Sequence, residues 1–388
     1  MHKLAFTLIA LMLLSPVVNA AVKWNNAGGE DKEPKTSKVQ VPVSVFELKR
    51  NFSKIYCQMT AAKTDLPEIF ETVIEYTGGN EVSSEKAVSN YRKYFMSLSS
   101  NARVSANDAK LARNEILRVS KAKKLKWADD WRKNDTNAFF FTASIAVPIA
   151  IEVIFQKENF DKVELELIID YLEFLNKQMR ATRLVKDDWE TDNKTFDYAV
   201  FSYALGLITD EEKHKKRAIK IFKKGIKELR ADGSIVADSK RIGSALHYSN
   251  KAIAALVTLS ELAMIDGISL YDYSHKGFGS SSVKKNINLA ITFLVNAGEN
   301  EKLIHQYAIR GEKRGSTGFK EYSATNQDKR WINNDLIGWG YYYLRRFPEA
   351  DLSKGLLRLS SYLESGRKGY GETAGANPRC FVTGKPLA

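Results

Sequence analysis

Five residues of the chain have types and spacing that suit acid–base chemistry beside an anion. Arg241 precedes Tyr248 by seven positions, His247 adjoins that tyrosine, and the pair Asn193-Lys194 lies upstream. An amide, a lysine and an arginine can hold an anion and absorb negative charge that develops on it. A tyrosine can take a proton as phenolate and give it back as phenol, if nearby cations lower its pKa from about 10. On a helix, adjacent residues project about 100° apart, so His247 need not face the same cleft as Tyr248.

Other chemistries lack their residues. The sequence has no Gly-x-Ser-x-Gly elbow, no His-Glu-x-x-His and no phosphate loop, and Gly277-Phe278-Gly279-Ser280 lacks the third glycine of a dinucleotide fingerprint. Beyond residue 20 the histidines are His214, His247, His275 and His305, and no two have metal-ligand spacing on one helix. Two cysteines, Cys57 and Cys380, are too few for a cysteine zinc cluster. The set demands no metal and no cofactor.

The elements that must position these residues read as helices. Asn107 can cap a helix running through Leu111, Ile116, Leu117, Val119, Leu125 and Trp131, and the polar break Asn134 to Asn137 precedes an apolar run from Ala138 to Phe155. Leu165, Ile168, Ile169, Leu172 and Leu175 recur at helical spacing, as do Ala199, Phe201, Ala204 and Leu207 after Asp192. A further helix starts near Thr209-Asp210-Glu211-Glu212, with the apolar stripe Ala218, Ile219, Phe222, Ile226 and Leu229, before Gly233. Helical patterns continue over Ala245 to Met264, Val283 to Val295 and Trp331 to Arg346. Strict alternation is scarce, so the fold class is all-α, and serial helical hairpins in one large domain predict an incomplete α/α toroid. The division expected is a signal peptide at 1–20, a flexible lead-in at 21–42, the toroid at 43–363 and an irregular C-terminal tail at 364–388.

The first segment, basic at His2-Lys3, apolar from Leu4 to Val18 and ending in Val18-Asn19-Ala20, has the layout of an export signal. Export predicts a periplasmic location, or full secretion, and with it a Cys57–Cys380 disulfide. The run Ala138 to Phe155 carries Pro148, Glu152, Thr142 and Ser144, which argues for a buried core helix rather than a membrane span. With 59 Lys and Arg against 46 Asp and Glu the net charge is +13, suited to a polyanionic partner. Nucleic acid is excluded as that partner by export and by the lack of a helix-turn-helix or stacking module. The dense basic run from Lys213 to Arg230 lies largely opposite its apolar stripe, so it reads as a solvated face able to steer polyanions. A monomer is expected.

From Trp127 to Tyr271 the sequence resembles the alginate lyase family, helical polysaccharide lyases that cut polymannuronate. Leu125-Lys126-Trp127 with Trp131 is similar to the family's Leu-x-Trp-x-x-x-Trp helix, and Asp192-Asn193-Lys194-Thr195-Phe196 stands at its Asn-Asn-His-x-Tyr-Trp signature. Arg230-Ala231-Asp232-Gly233-Ser234 resembles the turn before the active-site segment, and Arg241 with Ala245-Leu246-His247-Tyr248 resembles Arg…Ala-Leu-x-Tyr-His. Leu259 to Tyr271 continues the likeness, and Gly338-Trp339 with Arg346-Phe347-Pro348 echoes it more weakly.

The resemblance implies β-elimination on an anionic polysaccharide, with Asn193, Lys194 and Arg241 neutralising the C6 carboxylate and Tyr248 moving the proton from C5 to O4. His247, Trp339 and Arg330 are the expected substrate-binding residues. Three departures bear on specificity: Lys194 replaces the family's histidine, Ser249 the histidine after the tyrosine, and Asp197 a tryptophan. In mannuronate and glucuronate the C5 hydrogen and O4 share one side of the ring, so one tyrosine serves both; guluronate needs a second group opposite. Losing the histidine therefore favours mannuronate- or glucuronate-type polymers. The lid-like stretch Glu75-Tyr76-Thr77-Gly78-Gly79 lacks the family's lysine, for which Lys86 or Arg92 are substitutes. The alternative implied by the same departures is a non-catalytic periplasmic protein that binds acidic polysaccharide through a degenerate lyase cleft.

Overall fold

A computed structural model describes residues 44–46, 50–60, 82–127, 136–186, 189–276, 283–313, 322–371, 375–382 and 385–386. The expected signal and lead-in, Trp131 and the lid-like stretch lie outside the described residues. In chain order the helices are α1 (Lys54–Cys57), α2 (Val82–Ala102), α3 (Ala106–Lys121), α4 (Thr136–Gln156), α5 (Lys162–Arg180), α6 (Asn193–Thr209) and α7 (Glu212–Glu228), followed by α8 (Ala245–Ala263), α9 (Ile287–Glu299), α10 (Lys302–Lys313), α11 (Gly340–Arg346), α12 (Asp351–Leu359), α13 (Ser361–Glu364) and α14 (Pro378–Val382). Two short antiparallel ladders accompany them, β1 (Arg50–Asn51) with β4 (Lys385–Pro386) and β2 (His275–Lys276) with β3 (Lys284–Lys285).

Side chains that accept the first free N–H groups set several starts: Ser105 for α3, Asp161 in a reciprocal capping box for α5, Asp192 for α6 and Asn286 for α9. The cap of α3 is thus Ser105, not Asn107. The helix also stops at Lys121, short of Leu125 and Trp131, because Lys123 (φ 44°) and Leu125 (φ 65°) turn the chain into the left-handed region. The expected helix from Trp331 to Arg346 is likewise broken, into 3-10 turns at Arg330–Ile332 and Asp335–Ile337 and then α11, with Asn334 capping the second turn.

The apolar helix α4, long enough by composition to cross a membrane, is enclosed within the domain. Its one carboxylate, Glu152, is fully buried and accepts from Ser99, Arg103 and Gln156. Helix α6 packs against α4, α7 and α8 and is buried over most of its length. Asp210, in the left-handed conformation, turns α6 back into α7. Gly225 brings those helices close, since a Cβ there would lie 2.4 Å from the Phe196 ring. Hairpins of this kind, set side by side, form an incomplete all-α toroid.

The tail after 363 is not irregular throughout. Helix α14 carries Cys380, bonded to Cys57 with Cα atoms 4.4 Å apart, and Phe381, whose ring lies 5.3 Å from Phe46 and 5.4 Å from Phe155. Strand β4 then pairs with β1, so both ends of the described chain close on one another.

Candidate active site

Two segments converge to build the site. One is the first turn of α6, which presents Asn193 and Lys194. The other runs from Asp238 through two 3-10 turns, Asp238–Lys240 and Ile242–Ser244, into α8, and carries Arg241, His247 and Tyr248. Asp238 joins them: it is fully buried, and its Oδ2 accepts from the Asn193 backbone N–H at 3.1 Å. Between Arg241 and α8, Ile242 has φ 49°, a left-handed conformation that costs a β-branched residue about 1–3 kcal/mol.

The Arg241 guanidinium lies over the Tyr248 ring, 4.2 Å from its centroid, so the expected arginine–tyrosine pair is in direct contact. Asn193 is enclosed, and among the described residues neither its amide oxygen nor its amide nitrogen has a hydrogen-bond partner. An orphaned buried amide costs about 1–3 kcal/mol and calls for a functional explanation. Burial pushes the Lys194 ammonium below the usual lysine range; Asp192 and Asp238 oppose the shift, while Arg241 and Lys251 add to it. Burial, followed by the Asp192 charge, pushes Asp238 well above the ordinary carboxylate range, against the pull of Arg241 and Lys194.

His247 and Arg330 meet on a second carboxylate, Asp328. His247 Nδ1 stands 3.3 Å from Asp328 Oδ2, and the Arg330 side chain donates to both Asp328 oxygens at 3.0 and 3.1 Å. Gly243 permits this approach: a Cβ there would lie 2.3 Å from the Tyr322 Cβ, and its carbonyl accepts from the Asp328 N–H at 2.7 Å. Burial would raise the Asp328 pKa, but the neighbouring His247 imidazole and the hydrogen bonds from Arg330 hold it below the ordinary carboxylate range.

Beside this pair opens a cavity of about 360 Å³ lined by His247 and the cations Arg92, Lys251 and Arg330, with Phe140 on its apolar side. Lys251 lies over the Phe140 ring at 4.7 Å. Arg241, Tyr248, Asn193 and Lys194 are not part of that lining; Lys194 is linked to it electrostatically through Lys251. Of the lid substitutes, Arg92 reaches the cavity.

Trp339 does not belong to the site, contrary to expectation. It is 2% exposed, and its indole N–H donates to Asn250 Oδ1 at 2.8 Å, which makes it a packing residue. Trp127 is buried too, donating to Thr142 at 2.7 Å. Sequence reasoning missed Asp238, Asp328 and Lys251. Their signals are faint: Asp238 and Asp328 stand three and two residues before arginines, and Lys251 lies one helical turn after His247 and Tyr248.

Away from the cleft, Glu173, Glu211 and the buried His214 bring their ligand atoms within 4.8 Å of one another. Lys213 is salt-bridged to Glu211 and stands 4.0 Å from Glu173, so the carboxylates already have a cation.

Solved structures similar to this one include alginate lyases. Alginate lyase A1-III from Sphingomonas species A1 superposes with a TM-score of 0.63 at 18% identity, covering 86% of this chain and 89% of that one. A tyrosine-to-phenylalanine variant of alginate lyase A1-III complexed with a tetrasaccharide also gives 0.63, at 17% identity, covering 90% and 92%. Its histidine-to-alanine variant, also with tetrasaccharide, gives 0.63 at 18% identity over 86% and 88%. A curated relative, a polysaccharide lyase of Stenotrophomonas maltophilia (strain K279a), is 38% identical over 68 residues, and the match spans 18% of this chain and only 20% of the relative. The alginate lyase family profile matches residues 76–303, which include Asn193, Lys194, Arg241 and Tyr248. The chain belongs to the alginate lyase family.

Proposed function

We propose that the protein is a polysaccharide lyase that cleaves a mannuronate- or glucuronate-type polymer by syn β-elimination. The observation that carries this reading is the stacking of Arg241 on Tyr248, within electrostatic reach of Lys194 and tied through Asp238 to Asn193. The C6 carboxylate of the substrate takes its hydrogen bonds from Arg241, Lys194 and the orphaned Asn193 amide, so that charge forming at C5 is spread onto it. Because solvent does not reach the Asn193 side chain, this contact requires its covering to shift when substrate enters.

Tyr248 takes the C5 proton, the electron pair forms the C4–C5 double bond, the C4–O4 bond breaks, and the same phenol returns the proton to O4. No water is consumed. His247, Arg92, Lys251 and Arg330 bind neighbouring carboxylates in the adjoining cavity, which suits a chain with one negative charge per sugar. The tetrasaccharide complexes of the structural relative support a saccharide ligand. Export to an oxidising compartment, the periplasm or the medium, belongs to the same proposal and is supported by the disulfide.

The test is a panel of polymannuronate, polyglucuronate and polyguluronate, followed by ultraviolet absorbance of the new double bond. Absorbance is expected to rise with one of the first two and not with polyguluronate. Tight binding with no rise on any polymer would replace this reading with the non-catalytic polysaccharide-binding one, for which Lys194 in place of histidine is the structural ground.

A further inference from the structure

A second depression, of about 430 Å³, lies between α7, the end of α5 and the start of α6, and shares no lining residue with the cavity beside His247. Lys213, Lys216, Arg217, Lys220 and Lys224 enter it from α7, at spacings of three, four, seven and eleven residues that keep them on one face. Arg180, at the end of α5, and Lys186 close it from the other side. Among the described residues no carboxylate lines it; Val185 and Ile221 supply an apolar floor, and the hydroxyls of Thr191 and Thr195 already donate to Glu228 and Asp192.

Some of this charge is answered locally. Lys213 is paired with Glu211, and Lys224 lies 3.4 Å from Glu228 and donates to the Trp189 carbonyl. Gathering seven cations onto one concave surface, local pairs included, favours anions there. Thr195 follows Asn193 by two positions, about 200° around α6, and Thr191 precedes that helix.

We propose that this groove is a second binding site for anionic polysaccharide, holding a part of the polymer that lies outside the catalytic cleft. Naming the polymer as a polyuronate rests on the reading of the cleft given above; the groove's preference for a polyanion does not. A carboxylated saccharide fits better than the other polyanions. The lining has no aromatic side chain on which a nucleic-acid base could stack. Among the described residues, no large exposed apolar side chain lies on α7 or in the groove to enter a lipid surface. A row of cations beside short apolar patches instead matches the carboxylates and C–H faces of a uronate chain. A second contact on one polymer raises the effective concentration of that polymer at the cleft.

The test compares the full chain with its Lys186→Ser/Lys216→Ser/Lys220→Ser variant, whose three substituted side chains are exposed and can change without loss of fold. Calorimetric titration with polymannuronate of high polymer length is expected to show roughly tenfold weaker binding by the variant, while binding of a mannuronate tetrasaccharide stays unchanged. An Arg241→Ala/Lys251→Ala variant should lose tetrasaccharide binding yet keep salt-sensitive polymer binding, which reads the groove independently of the cleft. Equal polymer affinity of the full chain and the triple variant would overturn the proposal, as would equal losses for polymer and tetrasaccharide. A triple variant that loses binding to duplex DNA or phosphatidylserine vesicles while keeping its polymannuronate affinity would overturn it in favour of a different polyanion.

Discussion

Lys194 is a cation kept under pressure: burial disfavours its charge, and two carboxylates, Asp192 and Asp238, oppose that effect. The reading of Lys194 as a carboxylate-binding cation has a direct pH consequence. The folded-state pKa is lowered, so the ammonium loses its proton at a lower pH than an ordinary lysine, for which the value is about 10.4. kcat/KM is therefore expected to fall on the alkaline side below that range, with activity restored as pH drops and the proton returns. Lys194→Arg keeps a charge that does not titrate there and should move the alkaline limb upward. An unchanged limb, measured from initial rates across pH, would reduce Lys194 to a bystander. At this scale the contact of Arg241 with Tyr248 was legible because their spacing carried the family resemblance. Trp339 was misread because a tryptophan in an apolar stretch looks the same in sequence whether it packs or faces a sugar.

Elements are held together by buried ion pairs as well as apolar packing. Glu261 of α8 is fully buried; it accepts from Arg346 of α11 at 2.7 and 2.8 Å, from Tyr271 at 3.0 Å and from the Val45 N–H at 3.1 Å. Arg346→Met removes the counter-charge and leaves a carboxylate in the core, which should cost about 3–5 kcal/mol in denaturant unfolding. Adding Glu261→Gln should recover much of that loss, and no recovery would mean that the arginine acts through packing alone. Helix existence was readable from periodicity, as for α4, α5 and α7. Boundaries were less so: Ser105 outcompeted Asn107 as a cap, and left-handed residues at Lys123 and Leu125 ended a pattern that the apolar spacing would have continued. Asp238 and Asp328 were invisible for a related reason, since each acts across elements far apart in sequence.

For the molecule as a whole, the Cys57–Cys380 bond spans 323 positions and joins the segment bearing α1 to the one bearing α14. Cross-linking so long a loop restricts the unfolded chain, with a stabilisation of up to about 5 kcal/mol. A Cys57→Ser/Cys380→Ser variant is expected to melt at lower temperature and to exchange the amide protons of β1 and β4 faster, as shown by calorimetry and hydrogen exchange. The all-α toroid and this pairing were both readable from the sequence, the first from serial amphipathic stretches and the second from two thiols in a chain whose first segment has the layout of an export signal. The order within the tail was not, because α14 and β4 are too short to carry a period. In the proposed mechanism the proton transfer of this toroid runs through Tyr248. The most direct measurement is the rate of double-bond absorbance on polymannuronate or polyglucuronate for the parent chain and Tyr248→Phe, at matched polymer binding. Turnover by the parent and its abolition in the variant are expected, with affinity and folding retained; near-normal turnover by Tyr248→Phe would remove the tyrosine from the proton transfer.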